Sequence, residues 1–143
     1  MRVYKEQEIE RTSFYENNID LLLADPESET AKNYYLPEKV QDANNDIKIC
    51  KSATSCRFLK YADGRPVSII QVALKSNATR LDKNIINLAY TLPEYRNNGF
   101  AKELLNTIKK TIKTHLVVAN TLTEAGEKLF KPDTSRPKQK MKF

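Results

Sequence analysis

The stretch Leu92-Pro-Glu-Tyr-Arg-Asn-Asn-Gly-Phe-Ala-Lys-Glu-Leu-Leu105 decides how this chain of 143 residues is read. It follows Asn84-Ile-Ile-Asn-Leu-Ala-Tyr-Thr-Leu92, a β-branched and aromatic run that predicts a strand. Pro93 ends that strand, residues 94–98 read as a loop, and Gly99 opens the clearest helix, predicted to run to about Lys113. Ala101, Leu104, Leu105, Ile108 and Ile112 fall on one helical face. Lys102, Glu103, Asn106, Lys109, Lys110 and Lys113 fall on the other, with lysines crowding the C-terminal half, where the helix dipole favours them. At a strand-to-helix junction the first helical N–H groups lack intrahelical acceptors, and the positive end of the dipole reinforces them. Such a junction is an anion site. Gly99 allows the backbone bend and a close approach, Ala101 stays small for the same reason, and Arg96, Asn97 and Asn98 stand where side chains reach phosphate oxygens. The plainer alternative is an ordinary helix N-terminus with a tight turn before it.

Upstream, Cys56–Tyr61 and Val67–Leu74 predict two strands joined at Asp63-Gly64, a pair suited to a tight hairpin. The strand 84–92 is apolar on both faces and is expected to be central. Residues 5–24 read as a helix ended by Asp25-Pro26. Residues 26–47 read as a polar loop holding the apolar knot Tyr34-Tyr35-Leu36-Pro37 and a short helix near Glu38–Ala43. Downstream, Leu116–Ala119 predicts a short buried strand. Thr121–Lys131 predicts a last helix opened by the capping box Thr121-Leu-Thr-Glu124. The order implies an α/β or α+β domain: a mixed central sheet with helices on both faces and a parallel crossover through the helix at Gly99. We read residues 1–131 as one domain and 132–143 as a basic tail or terminal strand.

Composition narrows the function. The chain is 40% hydrophobic and 29% charged, ordinary for one folded domain and too apolar for wholesale disorder. No apolar run approaches a bilayer span of roughly 18 residues, and the first residues lack an apolar leader, so a cytoplasmic protein without membrane contact is expected. One histidine and two cysteines cannot supply a usual four-ligand zinc site, so no metal is expected. His115 reads as a surface or strand-edge residue, and Cys50 and Cys56 as inert fillers. The net charge of +6 favours anionic partners. Five lysines and one arginine against one aspartate between Lys128 and Phe143 leave nucleic-acid contact through the tail open. Tyr34 and Tyr35 either line an acceptor pocket or pack the loop onto the core.

Pro93-Glu-Tyr-Arg96 and Arg96-Asn-Asn-Gly-Phe-Ala101 resemble the acetyl-CoA loop of the GNAT N-acetyltransferases, and the flanking hairpin, strand and helix follow that family's order. The small size and Asn-x-Leu-Thr-x-x-Gly at Asn120–Gly126 also resemble phage-encoded members. The resemblance implies acetyl-CoA as co-substrate, its pyrophosphate on the backbone of Asn98, Gly99, Phe100, Ala101 and Lys102, with Arg96 and Asn97 beside it. It implies a pantetheine arm paired with the backbone of Tyr90, Thr91 and Leu92 where two strands splay, and Asn120 bonding the cofactor's amide. The reaction implied is acetyl transfer to an amine, on a protein lysine or N-terminus or on a small molecule, by a monomer or homodimer. Many members carry an acid tyrosine on the last helix, where this chain has Phe130, and a glutamate on the central strand, where it has Asn84 and Asn87. That leaves the catalytic groups unknown, with Tyr90 and Asn87 the candidates; Glu94 reads as a solvated loop residue. The departures favour a binding protein without turnover as the alternative, ahead of a nucleic-acid-binding module.

Overall fold

The structure, a computed structural model, describes residues 18–44, 46–76, 81–113 and 116–118. Two short helices, α1 (Ile19–Leu22) and α2 (Glu29–Tyr34), lead into strands β1 (Lys39–Asn44), β2 (Ile47–Lys51), β3 (Ser55–Ala62), β4 (Arg65–Ala73) and β5 (Asn84–Thr91). A 3-10 turn over Pro93–Tyr95, helix α3 (Phe100–Thr111) and strand β6 (Leu116–Val118) complete the described chain. The sheet runs β1-β2-β3-β4-β5-β6. Its first five strands pair antiparallel, and β6 adds to β5 in parallel, as α3 requires for a crossover.

Two cores sandwich the sheet. On one face Ile49, Phe58, Ile70 and Ile86 meet Leu104, Leu105 and Ile108 of α3, its expected apolar face. On the other, Leu59, Ile69, Leu88 and Tyr90 meet Leu22 and Leu23 from α1 and the residue after it. Phe58, Leu59, Ile69 and Ile70 lose all solvent contact, because alternate residues of β3 and β4 feed opposite cores. At roughly 25 cal/mol per Å² of apolar surface, burial of this kind is the dominant favourable term for the domain.

One residue redistributes β5 between the two cores. Gln71 faces Leu88 and Val72 faces Ile86, so Asn87 is an extra, unopposed residue, a β-bulge. Before it, Ile86 points to the α3 core; after it, Leu88 and Tyr90 point to the α1 core and Ala89 to α3.

Three expectations are corrected. The segment near Glu38–Ala43 is not helical: Lys39–Asn44 is strand β1, and the short helix lies earlier, at Glu29–Tyr34. Ser28 starts that helix, its Oγ accepting from Ala31 N–H at 3.2 Å. All six residues of β1 are exposed, so its extended form comes from pairing with β2 and not from a buried face. Strand β2 was not expected; its Ile47-Lys-Ile49 alternation is short but sufficient once β3 lies beside it. Finally, β5 lies inside the sheet, but its burial alternates, and β3 and β4 are the strands covered on both faces. The predicted helix over 5–24 survives, within the described residues, as α1. His115, the predicted helix over 121–131 with Phe130, the pattern at Asn120–Gly126 and the tail at 132–143 lie outside the described residues.

A buried ionic hub ties the segment before β1 to the sheet. Arg57 of β3 has no exposed surface. Its Nε and Nη2 donate to the two carboxylate oxygens of Glu38, both at 2.8 Å, and Nη1 donates to Ala24 O at 3.1 Å. The guanidinium stacks on the Tyr35 ring, 3.8 Å from its centre. Tyr35 Oη in turn donates to Leu21 O at 2.8 Å, and Tyr61 Oη donates to Asp25 Oδ2 at 2.7 Å. Tyr35 thus packs its loop onto the core, whereas Tyr34 stands half exposed with its ring edge-on to Tyr35.

Candidate functional site

The junction from β5 to α3 carries the site. Gly99 caps α3 in the left-handed region, at φ +78, the bend expected of it. A Cβ built there would meet nothing within 4 Å, so the space over the helix end is open to an incoming group. Glu103 N–H is the first to close a helical bond, onto Gly99 O at 3.0 Å. The amides of Gly99, Phe100, Ala101 and Lys102 precede it and have no intrahelical acceptor. Asn97 is also left-handed, at φ +67, a conformation asparagine tolerates better than most residues. Asn98 does not project from the loop to reach an anion. Its Nδ2 donates to Tyr95 O at 3.1 Å and holds the turn closed.

The turn is stapled to the hairpin between β3 and β4. Tyr95 Oη donates to Asp63 Oδ2 at 2.6 Å, and Arg65 pairs with Glu94 at 3.7 Å. Glu94 is accordingly an exposed loop residue whose partner is structural. Beneath the first turn of α3, Lys60 Nζ lies 2.6 Å from Glu103 and 5.2 Å from the Phe100 ring centre. Phe100 packs against the α1-side core beside Tyr95. Asp63, Lys60 and Arg65 are positioning residues that the sequence pattern did not signal. Their partners Tyr95, Glu103 and Glu94 lie far along the chain, beyond strand β5.

Beside the helix end, one edge of β5 is open among the described residues. The described part of the parallel ladder is Asn84↔Leu116, Ile85↔Val117 and Ile86↔Val118. On its other edge β5 stays paired with β4 to Thr91, and Leu92 N–H donates to Val67 O at 2.9 Å. Main-chain groups alternate along a strand, so Leu92 N–H facing β4 turns the N–H and C=O of Thr91 toward the open edge. The Thr91 hydroxyl is shared with Ser68 Oγ at 2.7 Å, across the pair Ser68↔Thr91. Arg96 reaches back along this edge. Its Nε donates to Thr91 O at 2.8 Å, and its Cζ lies 5.4 Å from the Tyr90 ring centre.

The structure therefore gathers Thr91, Arg96, Asn97, Gly99, Phe100, Ala101 and Lys102 at one end of the sheet. Leu92 is engaged by β4, and the Tyr90 side chain is buried in the α1-side core. Asn87 is exposed at the bulge. Asn120 lies outside the described residues. The arrangement suits an elongated ligand: an anionic end at the helix amides and an arm that pairs with a strand edge. Two surface depressions lie elsewhere. One of about 380 Å³ is lined by Pro37, Glu38, Lys39 and Ser52, the other of about 280 Å³ by Asp46, Lys48, Tyr61 and Gly64. Neither cysteine offers a nucleophile: burial pushes the Cys50 thiol up to about 11 and that of Cys56 to about 12. No helix among the described residues is long and apolar enough to cross a membrane.

Comparison with known proteins gives a family, and several solved structures resemble the chain. The model of the Acetyltransferase (GNAT) family matches residues 15–127. A search of curated proteins finds no match. Among solved structures, the chain is similar to the crystal structure of a ribosomal-protein-alanine N-acetyltransferase from Brucella melitensis biovar Abortus 2308. The identity is 18% and the TM-score 0.44, over 57% of this chain and 66% of that one, just under two thirds of its length.

Proposed function

The chain belongs to the acetyltransferase (GNAT) family, and on that premise we propose that it moves an acetyl group from acetyl-CoA to an amine acceptor. The observation that carries the reading is the left-handed Gly99 at the start of α3, with unclosed helix amides beside the open edge of β5. The residues fit the carrier. The amides of Gly99 to Lys102 would hold its diphosphate, with the dipole of α3 behind them. Lys102, exposed in the first turn, adds positive charge. The Thr91 main chain would pair with an amide of the pantetheine arm. Bound acetyl-CoA supplies an activated acyl carbon: the amine nitrogen bonds to it, the carbon–sulfur bond breaks, and the sulfur leaves as a thiolate to be protonated.

The chain's part is to hold the arm straight along β5 and to bring the acceptor amine, deprotonated, to the carbonyl. Asn87 at the bulge and Tyr90 are the side chains proposed to serve the reacting end. The acceptor class proposed is a primary amine, on a protein or a small molecule. A cytoplasmic setting goes with the reading, since acetyl-CoA and reduced thiols such as Cys50 and Cys56 belong to that compartment.

Titration calorimetry of the full chain with acetyl-CoA tests the cofactor. Heat that saturates at one carrier per chain is expected, and a folded protein giving none at millimolar carrier overturns the reading. Mass-spectrometric detection of an acetylated amine in a lysate supplied with labelled acetyl-CoA separates an enzyme from a binding protein.

A further inference from the structure

We propose that Arg96 couples the two halves of the carrier, so that the site selects a ligand carrying a diphosphate and a peptide-like arm on one molecule. The inference rests on the coenzyme reading above and names what sets its specificity. Arg96 Nε sits on Thr91 O at 2.8 Å, and that carbonyl belongs to the edge of β5 that no described strand occupies. The guanidinium therefore fills the acceptor that an amide arm would use. The same side chain stands just before the turn that leads to the amides of Gly99 to Lys102. It is exposed, so its bond to a neutral carbonyl competes with water. A guanidinium bonded to phosphate gains charge and two parallel hydrogen bonds, and is the stronger partner.

An anion at α3 thus draws Arg96 from Thr91 and bares the carbonyl for the arm. An arm paired at Thr91 releases Arg96 toward the anion. By linkage each half raises the affinity of the other by one common factor. A neutral arm alone has to displace the guanidinium.

The test is an NMR titration of the full chain with pantetheine and inorganic pyrophosphate, separately and together. In the wild-type chain, saturating pyrophosphate is expected to tighten pantetheine binding about three- to tenfold, the range for releasing one exposed hydrogen bond that already competes with water. In Arg96→Ala, pantetheine alone should bind as tightly as it does to the wild type with pyrophosphate, pyrophosphate should bind more weakly, and the coupling should vanish. Arg96→Lys keeps a charge near the anion but not the Nε geometry, and it should lose the coupling while retaining most of the pyrophosphate affinity.

Uncoupled fragments in the wild type, weaker pantetheine binding in Arg96→Ala, or coupling that survives in Arg96→Lys each overturn the proposal. So does pantetheine that binds neither protein at tens of millimolar while intact acetyl-CoA binds. If intact acetyl-CoA itself fails to bind the folded wild-type chain, the reading of the site falls as well. Circular dichroism confirms that the variants are folded.

Discussion

Arg57 and Arg96 serve two regions of one sheet in opposite ways. Arg57, under the segment between α1 and β1, has its donors taken by Glu38 and Ala24 and its face taken by Tyr35. Arg96, at the turn between β5 and α3, is exposed and, among the described residues, its side chain donates one hydrogen bond, to Thr91 O. In the first region each guanidinium nitrogen has a partner within the chain, which fixes where the segment lies. In the second, helix amides and a strand edge have no main-chain partner among the described residues. Buried charge left unpaired is costly, so the first arrangement reports stability; exposed, pre-aimed donors report binding.

The largest effect should come from breaking the closed region. Arg57→Met leaves the Glu38 carboxylate nearly buried without its partner, and urea unfolding should show a loss of about 3–5 kcal/mol. Adding Glu38→Met should restore much of it, since removing both charges avoids the orphan. A double variant as unstable as the single one would show that the hub acts by packing alone. Next comes alkaline pH. Burial holds the Cys50 thiol at about 11 and Cys56 and Tyr35 at about 12, all above their unfolded values. Their contribution is fully present below pH 9 and is lost as pH rises from 9 through 12, because the unfolded chain ionises first. Melting temperature measured along that range should fall steadily.

Gly99→Val tests the open region. A left-handed φ costs a β-branched residue about 1–2 kcal/mol of stability, whereas affinity for acetyl-CoA should drop at least about tenfold as the amides turn away. Equal loss in both, or affinity unchanged, would place the anion elsewhere. The smallest effect should be that of Tyr95→Phe, which removes the exposed bond to Asp63 and should cost about 0.5–1.5 kcal/mol. Its sharper readout is a few-fold weaker carrier binding, since the turn loses its anchor.

Legibility in the sequence follows the same division. The hairpin of β3 and β4, strand β5 and helix α3 were readable because each carries its own periodicity and its own turn residues, Asp63-Gly64 and Gly99. Strand β1 was not: its six exposed residues have no buried face to leave a pattern, and only the β2 partner makes it a strand. Arg57 was equally hidden. A charged residue inside a strand reads as solvent-facing, and nothing local announces that Glu38, 19 positions earlier, will enclose it. At the site, the helix amides and Gly99 were legible from the spacing, while the long-range staples of Tyr95 to Asp63 and Lys60 to Glu103 were not.

The extra residue at Asn87 makes β5 tolerant of one change in its own length. Drawing Asn87 into the ladder would turn Leu88 and Tyr90 toward α3 and Ala89 toward the opposite layer, exchanging large groups for a small one on both sides at once. Losing Asn87 does the reverse: Ile86 and Leu88 become consecutive residues of a regular ladder, and each side chain keeps the layer it has. Drift in this protein should therefore permit loss of position 87 about as readily as substitution there.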